Sequence, residues 1–287
     1  LFNAAVSPAV KAAIDGRLGC VLCVGSGGDK RQAILEACGE LGLPSLLAAA
    51  EDRGLGLTVC GLHLFFERLS DLLEEGRPIE GPPPAATGGG TLPGLMGATA
   101  RAISSAADGA ALLSSLTSAC AAIEERSVGC AGGGHLAVQL ALHENGGSGA
   151  LVGRVLLVDV ADANAALGAS EVLAPTLCGA SAAMLQRALA KPSSRPAAAD
   201  ATLLTRLLSP AFDQPSSTTS RLVLNVTADA PQGTVDTLRT AQAAAKAAKA
   251  KEKGAKEAGE WRAGVTEYLQ KVLAEQKENV SSARLGE

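Results

Sequence analysis

GRVLLVDVADAN, residues 153–164, is an apolar run that ends in two aspartates. A short continuous run of Val and Leu is typical of a strand that is buried in a sheet. A strand is therefore predicted over residues 154–160, with Asp159 near its carboxyl end. Another strand is predicted just before it, over 136–142, and the Gly-rich residues 146–149 are predicted to form the turn between the two.

Similar apolar runs alternate with helical patterns over most of the chain. Strands are predicted over 19–24, 57–66 and 221–226, and helices over 4–15, 30–41, 104–126, 170–190, 201–208 and from 234 onward, with 67–75 as a short helix after the strand at 57–66. The Pro- and Gly-rich residues 76–94 and 192–199 are predicted to be loops. Strands that alternate with helices predict a layered α/β fold.

The composition limits the classes of function. The 287 residues, 47% of them hydrophobic and 2% aromatic, suffice for one large domain with a core of Leu, Val, Ala and Ile. The formal net charge of −4 argues against nucleic-acid binding, which usually needs a basic surplus. Nothing resembles a signal peptide or approaches the roughly 20 apolar residues of a membrane span, so we expect a cytoplasmic protein without a membrane partner.

Seven cysteines lie scattered in apolar segments, which indicates reduced thiols in the cytosol. Cys20 and Cys23 form a C-x-x-C pair, a spacing that also occurs in metal and redox sites. No second pair and no nearby histidine completes a zinc site, and the pair lies in the predicted strand 19–24. We therefore predict two buried strand cysteines and no metal site.

The C-terminal part of the chain has a different pattern. Residues 241–257 are helix-prone and rich in Ala and Lys, with almost no large apolar side chain to bury. Apolar residues then follow at spacings of four, three and four, namely Trp261, Val265, Tyr268 and Val272. This spacing predicts either a short coiled-coil seam or an amphipathic helix that packs on its own domain. Two units are expected, a domain over 1–240 and a C-terminal helix over 241–287.

Six segments, in order along the chain, resemble parts of the kinesin motor domain. They are residues 1–23, residues 57–73 with their final Asp71-Leu72-Leu73, His135 and its strand, residues 153–164, the LLTRLL segment 203–208, and residues 221–249 with Thr237-Leu238-Arg239. The resemblance implies a P-loop NTPase fold with a mixed central sheet flanked by helices and a C-terminal helical extension. It also implies that the family's first strand and its adenine-contacting segment would lie before Leu1.

The segment that resembles the family's phosphate loop departs from the working pattern, G-x-x-x-x-G-K-S/T. In that pattern backbone amides cradle phosphates, the Lys reaches them and the hydroxyl holds Mg²⁺. Here the segment is Gly25-Ser26-Gly27-Gly28-Asp29-Lys30-Arg31. Aligning the lysines leaves the loop one residue short and puts Arg31 in place of the hydroxyl. An ungapped alignment instead replaces the second Gly by Lys30 and the Ser/Thr by Gln32.

The two switch segments depart from the family pattern as well. The Ser-Ser-Arg-Ser-His of switch I corresponds to Ala131-Gly132-Gly133-Gly134-His135, so that only the His remains. In switch II, Asp159 is retained at the position that assists Mg²⁺, whereas Asp162, Ala163 and Asn164 replace the Gly, Ser and Glu. Phosphoryl transfer depends on positioning and electrostatics, so these losses predict no turnover and no catalytic residue. The vestigial nucleotide-binding residues are Gly25, Gly27, Gly28, Lys30 and Asp159, and no cofactor is expected.

The filament-binding face implied by the resemblance is weakened. Between Arg154 and Arg187 the chain has no Lys or Arg, where active kinesins carry basic residues that meet the acidic tubulin surface. Basic residues near the next contact region of the family, and the two aromatic residues of the C-terminal helix, are the candidate contacts with a microtubule or partner: Lys191, Arg195, Arg206, Trp261 and Tyr268.

Three readings follow from the sequence. The first is a non-catalytic kinesin-like scaffold in a microtubule-based assembly of the cytoplasm and cytoskeleton, for example a ciliary axoneme. It binds microtubules, microtubule-associated proteins or another kinesin-like chain. The second is a divergent motor with slow ATPase activity, in which Lys30 and Asp159 still hold MgATP. The third is an unrelated α/β protein, for which His63, His135 and His143 suggest a Ser-His-Asp site, although no G-x-S-x-G segment occurs.

Overall fold

The computed structural model describes residues 2–25, 29–65, 67–79, 95–126, 134–144, 149–161, 185, 202–213, 218–225 and 242. Within these ranges eight strands form one mixed sheet. They are β1 (Leu18–Gly25), β2 (Gly56–Phe65), β3 (Arg68–Asp71), β4 (Arg77–Pro78), β5 (Arg101–Ala102), β6 (His135–His143), β7 (Leu151–Asp159) and β8 (Thr218–Asn225).

The strand order is β4-β3-β2-β6-β7-β1-β8, and β5 pairs with β2. Strand β1 is parallel to β7 and to β8, whereas β6 is antiparallel to β2 and to β7. The register places Cys23 beside Asp159, so the parallel strands β1 and β7 have their carboxyl ends next to each other. The candidate site lies at these strand ends.

Helices cover both faces of the sheet. They are α1 (Ser7–Ile14), α2 (Asp29–Ala37), α3 (Leu43–Arg53), α4 (Ala106–Arg126) and α5 (Leu203–Asp213). A π-helical turn, Cys38–Gly42, joins α2 to α3, and Gly54, with a φ of +63°, ends α3 in the left-handed conformation that glycine adopts without strain.

The strands alternate their side chains between two hydrophobic clusters because successive residues point to opposite faces. Along β1, Val21 and Cys23 join the cluster under α1–α4, and Cys20 and Leu22 join the cluster under α5. On β2 the residues on the α1–α4 face are the odd-numbered ones, as Leu57 and Val59 show. His63 follows in the same alternation, which places it beneath α4.

Helix α1 packs against the sheet at two glycines. A Cβ at Gly19 would lie 2.1 Å from the carbonyl oxygen of Ala9, and one at Gly153 would lie 2.0 Å from that of Ala13. Because the obstructing atoms belong to the helix backbone, no side chain larger than hydrogen fits without moving α1.

Two helical stretches, Lys30–Arg53 and Ala106–Arg126, are long and apolar enough by length and composition to cross a membrane. Both contribute fully buried leucines to the cluster on one face of the sheet, among them Leu46 and Leu116. Both helices thus pack on the sheet, although the expectation that no segment approaches the length and hydropathy of a membrane span was wrong by this measure.

The fold class predicted from the sequence is confirmed, and so are the strands predicted at 19–24, 57–66, 136–142, 154–160 and 221–226, with shifted ends. The helix predicted over 104–126 is also confirmed. Cys20 and Cys23 are buried free thiols in β1, as predicted, and burial raises the pKa of each to about 12. Thiols of such high pKa are poor nucleophiles, which disfavours a redox role.

Two helix predictions were wrong, and the loop predicted over 76–94 contains the short strand Arg77–Pro78, which pairs with β3. Residues 67–75 are not a helix: Arg68–Asp71 pairs with β2 as a strand, and a short 3₁₀ turn, Leu72–Glu74, follows it. The helix predicted to end at 41 continues through the π-helical turn into α3 and ends at Arg53. The helix predicted at 170–190, the loop at 192–199 and the C-terminal helix lie outside the described residues, apart from isolated positions.

Candidate functional site

The candidate site lies where β1 and β7 end and α2 begins. Gly25 is the last residue of β1 and has a φ of +125°, a backbone conformation that residues other than glycine rarely adopt. Lys30 and Arg31 lie in the first turn of α2, and Asp159 closes β7. The sheet and the helix thus bring together three of the residues predicted as vestigial nucleotide contacts: Gly25, Lys30 and Asp159.

The Lys30 ammonium is buried and lies against three oxygen atoms. Its Nζ donates hydrogen bonds to the carbonyl oxygens of Gly25, at 2.7 Å, and of Val160. It also lies 3.2 Å from Oδ1 of Asp159, an ion pair that is not aligned as a hydrogen bond. Lys30 therefore ties the end of β1 to the end of β7 within the protein itself.

The Arg31 guanidinium lies between two carboxylates. Its Nε donates to Oδ2 of Asp159 at 3.0 Å, while Nη1 and Nη2 donate to the two oxygens of Glu124 at 3.3 and 3.1 Å. The planar fork of arginine matches a carboxylate in this two-bond arrangement. Further bonds reach Sγ of Cys120, at 3.2 Å, and the carbonyl oxygen of Gly134, at 3.3 Å.

These contacts fix the charges of the site. Burial alone lowers the pKa of Arg31, but Cys120, Glu124 and Asp159 outweigh it and raise that pKa above its ordinary value. Burial alone raises the pKa of Glu124, but the nearby His63 ring and the bonds from Arg31 outweigh it and lower that pKa. Both groups are therefore ionised at neutral pH.

Two histidines line the site on opposite faces of the sheet. His63 packs over Gly134, where an added Cβ would lie 1.8 Å from the imidazole Nε2. His135 is buried, and its Nδ1 accepts a hydrogen bond from the amide of Ala161 at 3.0 Å, which places the proton of the neutral ring on Nε2. Burial, with a smaller contribution from Lys30, lowers the pKa of His135 to about 3, so this ring is uncharged.

The other residues predicted for the site fall in different places. Gly27, Gly28, Lys191, Arg195, Trp261 and Tyr268 lie outside the described residues. Arg206, on α5, forms an ion pair of 2.9 Å with Glu67. The sequence analysis named His63 only for a Ser-His-Asp site and missed Cys120 and Glu124. The pairing of Arg31 with Glu124 joins residues 93 positions apart. The only signal in the sequence was the arginine at a position that the family gives to a hydroxyl.

Among the residues that the structure describes, the charges of the site balance. Two cations, Lys30 and Arg31, face two carboxylates, Asp159 and Glu124. Mg²⁺ requires near-octahedral oxygen ligands at about 2.0–2.1 Å. The carboxylate of Asp159, the residue that the resemblance assigns to such an ion, already accepts a hydrogen bond from Arg31.

No protein-family model matches this sequence, and no curated protein matches it. Solved structures do match. The C-terminal motor domain of Kar3 from Candida glabrata aligns with a TM-score of 0.60 at 19% identity, covering 84% of this chain and 76% of that one. A KIF14 dimer in a two-heads-bound state, with AMP-PNP and a microtubule, aligns with a TM-score of 0.59 at 17% identity, covering 85% and 75%.

Kinesin mutants solved to follow activation of the motor ATPase align with a TM-score of 0.57 at 16% identity, covering 83% of this chain and 77% of theirs. These three structures are all kinesin motor domains. The chain therefore has the mixed α/β fold of the kinesin motor domain, as the resemblance in its sequence implied.

Proposed function

We propose that this chain is a non-catalytic, kinesin-like scaffolding module of a microtubule-based assembly, with a nucleotide site that its own side chains close. The observation that carries the proposal is the pairing of Asp159 with both Lys30 and Arg31. In the family the lysine binds phosphate and the aspartate assists the metal. Here Lys30 and Asp159 are paired with each other, and Asp159 is also paired with Arg31.

The contacts of Lys30 oppose phosphate binding. An ammonium has three hydrogen-bond donors, and Lys30 directs two of them to the buried carbonyl oxygens of Gly25 and Val160. To reach a phosphate, Nζ would leave these carbonyls without a partner. An unsatisfied buried polar group costs about 1–3 kcal/mol, which would be subtracted from the binding free energy.

The contacts of Arg31 oppose metal binding. Its guanidinium bonds the Asp159 carboxylate, and its side chain is 15% exposed, so this charge is mostly removed from solvent. Separating one partner from a buried ion pair costs about 3–5 kcal/mol. A Mg²⁺ ion that displaced Arg31 would have to recover this cost with fewer protein ligands than the family supplies.

The packing around Gly134 opposes restoration of switch I. The resemblance aligns Gly134 with the serine directly before the family's histidine. A side chain there would overlap the imidazole of His63, which is 2% exposed and has little room to move. A serine at this position is therefore incompatible with the present packing of His63.

Microtubules, or proteins bound to them, are the proposed partners. The support is the fold, together with the KIF14 structure that was solved on a microtubule. The proposed contacts are Lys191, Arg195 and Arg206, with Trp261 and Tyr268 for a protein partner, and Arg206 would have to exchange its ion pair with Glu67. The proposed location is the cytoplasmic cytoskeleton, with a ciliary axoneme as one setting.

The test is a titration of the purified chain with a fluorescent ATP analogue and Mg²⁺. We expect no saturable binding up to millimolar nucleotide, and retention on microtubules in a sedimentation assay. The variant Arg31→Thr restores the hydroxyl and removes the guanidinium, and it should bind the analogue more tightly than the parent chain. Arg17→Thr, an arginine at the surface, is the matched control. Saturable, Mg²⁺-dependent binding by the parent chain would refute the closed site.

A slow ATPase is the second candidate, since one feature of the site favours it. Oδ1 of Asp159 is buried and accepts no hydrogen bond from the residues that the structure describes. This oxygen therefore retains lone pairs for a hydrated Mg²⁺ of MgATP. Under this alternative the chain would release phosphate slowly with Mg²⁺, and Lys30→Ala would abolish that release.

A further inference from the structure

Three side chains that ligate transition metals meet beside the nucleotide site. They are His63 on β2 and the pair Cys120 and Glu124 on α4. One ligand atom from each lies within 4.8 Å of the other two. Oε1 of Glu124 is 3.7 Å from Nε2 of His63 and 3.7 Å from Sγ of Cys120.

The local structure explains why these residues converge. Positions four residues apart lie on one face of a helix, so Cys120 and Glu124 project together. Helix α4 approaches β2 closely at Gly61, where an added Cβ would lie 2.6 Å from the side chain of Leu116. Two residues further along the strand, on the same face, His63 therefore meets the turn of α4 that carries Cys120 and Glu124.

The imidazole of His63 has an unused ligand atom. Its Nε2 is fully buried and forms no hydrogen bond with any residue that the structure describes. The 3.7 Å that separate it from Glu124 exceed hydrogen-bond length. Buried polar atoms are nearly always satisfied, so an atom of this kind, aimed at a cysteine and a carboxylate, points to a missing partner.

We propose that His63, Cys120 and Glu124 form a Zn²⁺ site. Zinc accepts mixed nitrogen, sulfur and oxygen ligands in tetrahedral geometry, with bonds of about 2.0–2.3 Å. Those bond lengths place neighbouring ligand atoms about 3.3–3.8 Å apart, close to the two separations measured from Glu124. Three protein ligands leave the fourth position for water.

Binding would require deprotonation of Cys120. A zinc–sulfur bond forms as the thiol proton passes to solvent, because the thiolate is the ligand. Zinc affinity should therefore fall as pH decreases, which distinguishes this set from a site made of carboxylates alone.

Arg31 would compete with the metal. Its guanidinium bonds both Sγ of Cys120 and the Glu124 carboxylate, two of the three ligands. A bound Zn²⁺ would release Arg31 from these groups and leave it paired with Asp159. Removing the guanidinium should thus tighten zinc binding, an effect that a cysteine binding metal adventitiously would not show.

The test uses the full chain, reduced and free of nucleotide, titrated with Zn²⁺ against a chromophoric chelator. Co²⁺ serves as a spectroscopic probe of the thiolate bond. We expect the zinc affinity of Cys120→Ala and of His63→Ala to be lower than that of the parent chain by about tenfold or more. Arg31→Met should strengthen binding. Cys38→Ala, which removes another fully buried thiol from the same core cluster, should leave the affinity unchanged.

Circular dichroism checks that each variant is folded. If His63→Ala does not fold, Glu124→Gln supplies the second ligand variant, because it keeps the shape of the side chain and removes its charge. No binding by the parent chain would overturn the proposal. Equal affinity in the parent chain and in Cys120→Ala would also overturn it, since the metal would then be held elsewhere.

Discussion

Replacing Gly134 by alanine tests the close packing of His63 over the chain at this position. The added Cβ would lie 1.8 Å from Nε2 of His63, whereas Cβ atoms are essentially never closer than 3.0 Å to another heavy atom. The two groups must therefore move apart by 1.2 Å, the difference between these distances. His63 is 2% exposed, so its ring has little space in which to make that movement.

The expected cost follows from this overlap. Overpacking a well-filled core typically costs about 1–3 kcal/mol, and we expect Gly134→Ala to fall in the upper part of that range. For a chain of this size each kcal/mol lowers the melting temperature by about 2–4 °C. Urea unfolding at pH 7.5 gives the free energy, and a thermal scan followed by circular dichroism gives the melting temperature.

A double-mutant cycle isolates the contact. In a His63→Ala background the space above Gly134 is open, so the cost of Gly134→Ala should fall by about 1 kcal/mol or more. Gly39→Ala is the matched control, because its Cβ would meet no heavy atom closer than 3.6 Å, an ordinary contact. If the cost of Gly134→Ala is the same with and without His63, or no larger than that of Gly39→Ala, the packing explanation is refuted.

Three further predictions concern stability. The buried ammonium of Lys30 pairs with Asp159, so Lys30→Met should destabilise the chain by about 3 kcal/mol in urea unfolding, and a loss below about 1 kcal/mol would mean that the pair is not formed. Gly19→Ala drives a Cβ to 2.1 Å from the Ala9 carbonyl, so it should cost about 3 kcal/mol or more and give little folded protein. His135 has its pKa lowered from 6.5 to about 3, so the unfolded chain binds a proton there that the folded chain does not, and stability should be lost as pH falls from 6.5 towards 3. At pH 5.5 the loss should be about 1.4 kcal/mol, and His135→Gln should flatten this part of the profile.

The strands could be predicted from the sequence because the central ones are buried on both faces. Such strands read as continuous apolar runs, and the prediction at 154–160 overlaps Leu151–Asp159 closely. Short edge strands give no such signal. Arg68–Asp71 is extended because it pairs with β2 in a hairpin, a contact that the pattern of residues 67–75 does not contain.

The end of the helix after the phosphate-loop segment was misplaced for a different reason. Gly42 and Pro44 follow the predicted end at 41 and are typical of a helix stop. In the structure the π-helical turn carries the chain past Gly42, and Pro44 lies in the first turn of α3, a position that tolerates proline. The same residues thus mark a new helix start within a continuing helical segment.

For the site, the sequence supplied Lys30 and Asp159 through their resemblance to a known family, and the structure brings them together. The partners of Arg31 could not be predicted, since Glu124 reaches it from the far end of a 21-residue helix. Nor could the cluster of His63, Cys120 and Glu124 be predicted, because its members come from two elements whose contact depends on the close approach at Gly61. Side chains far apart in sequence meet only through such packing.

The charge balance explains how a site of this shape can be stable without a ligand. A pocket built to hold phosphates needs uncompensated donors and positive charge, which are stable only when the ligand supplies the negative charge. Here Asp159 and Glu124 supply that charge to Lys30 and Arg31 from within the chain. Under the proposed function, an arginine at the position of the family's hydroxyl would do more than remove a metal ligand, since it adds the cation that binds these carboxylates. Reopening the site would accordingly require removal of this arginine as well as restoration of the lost hydroxyl, which is why Arg31→Thr makes both changes at once.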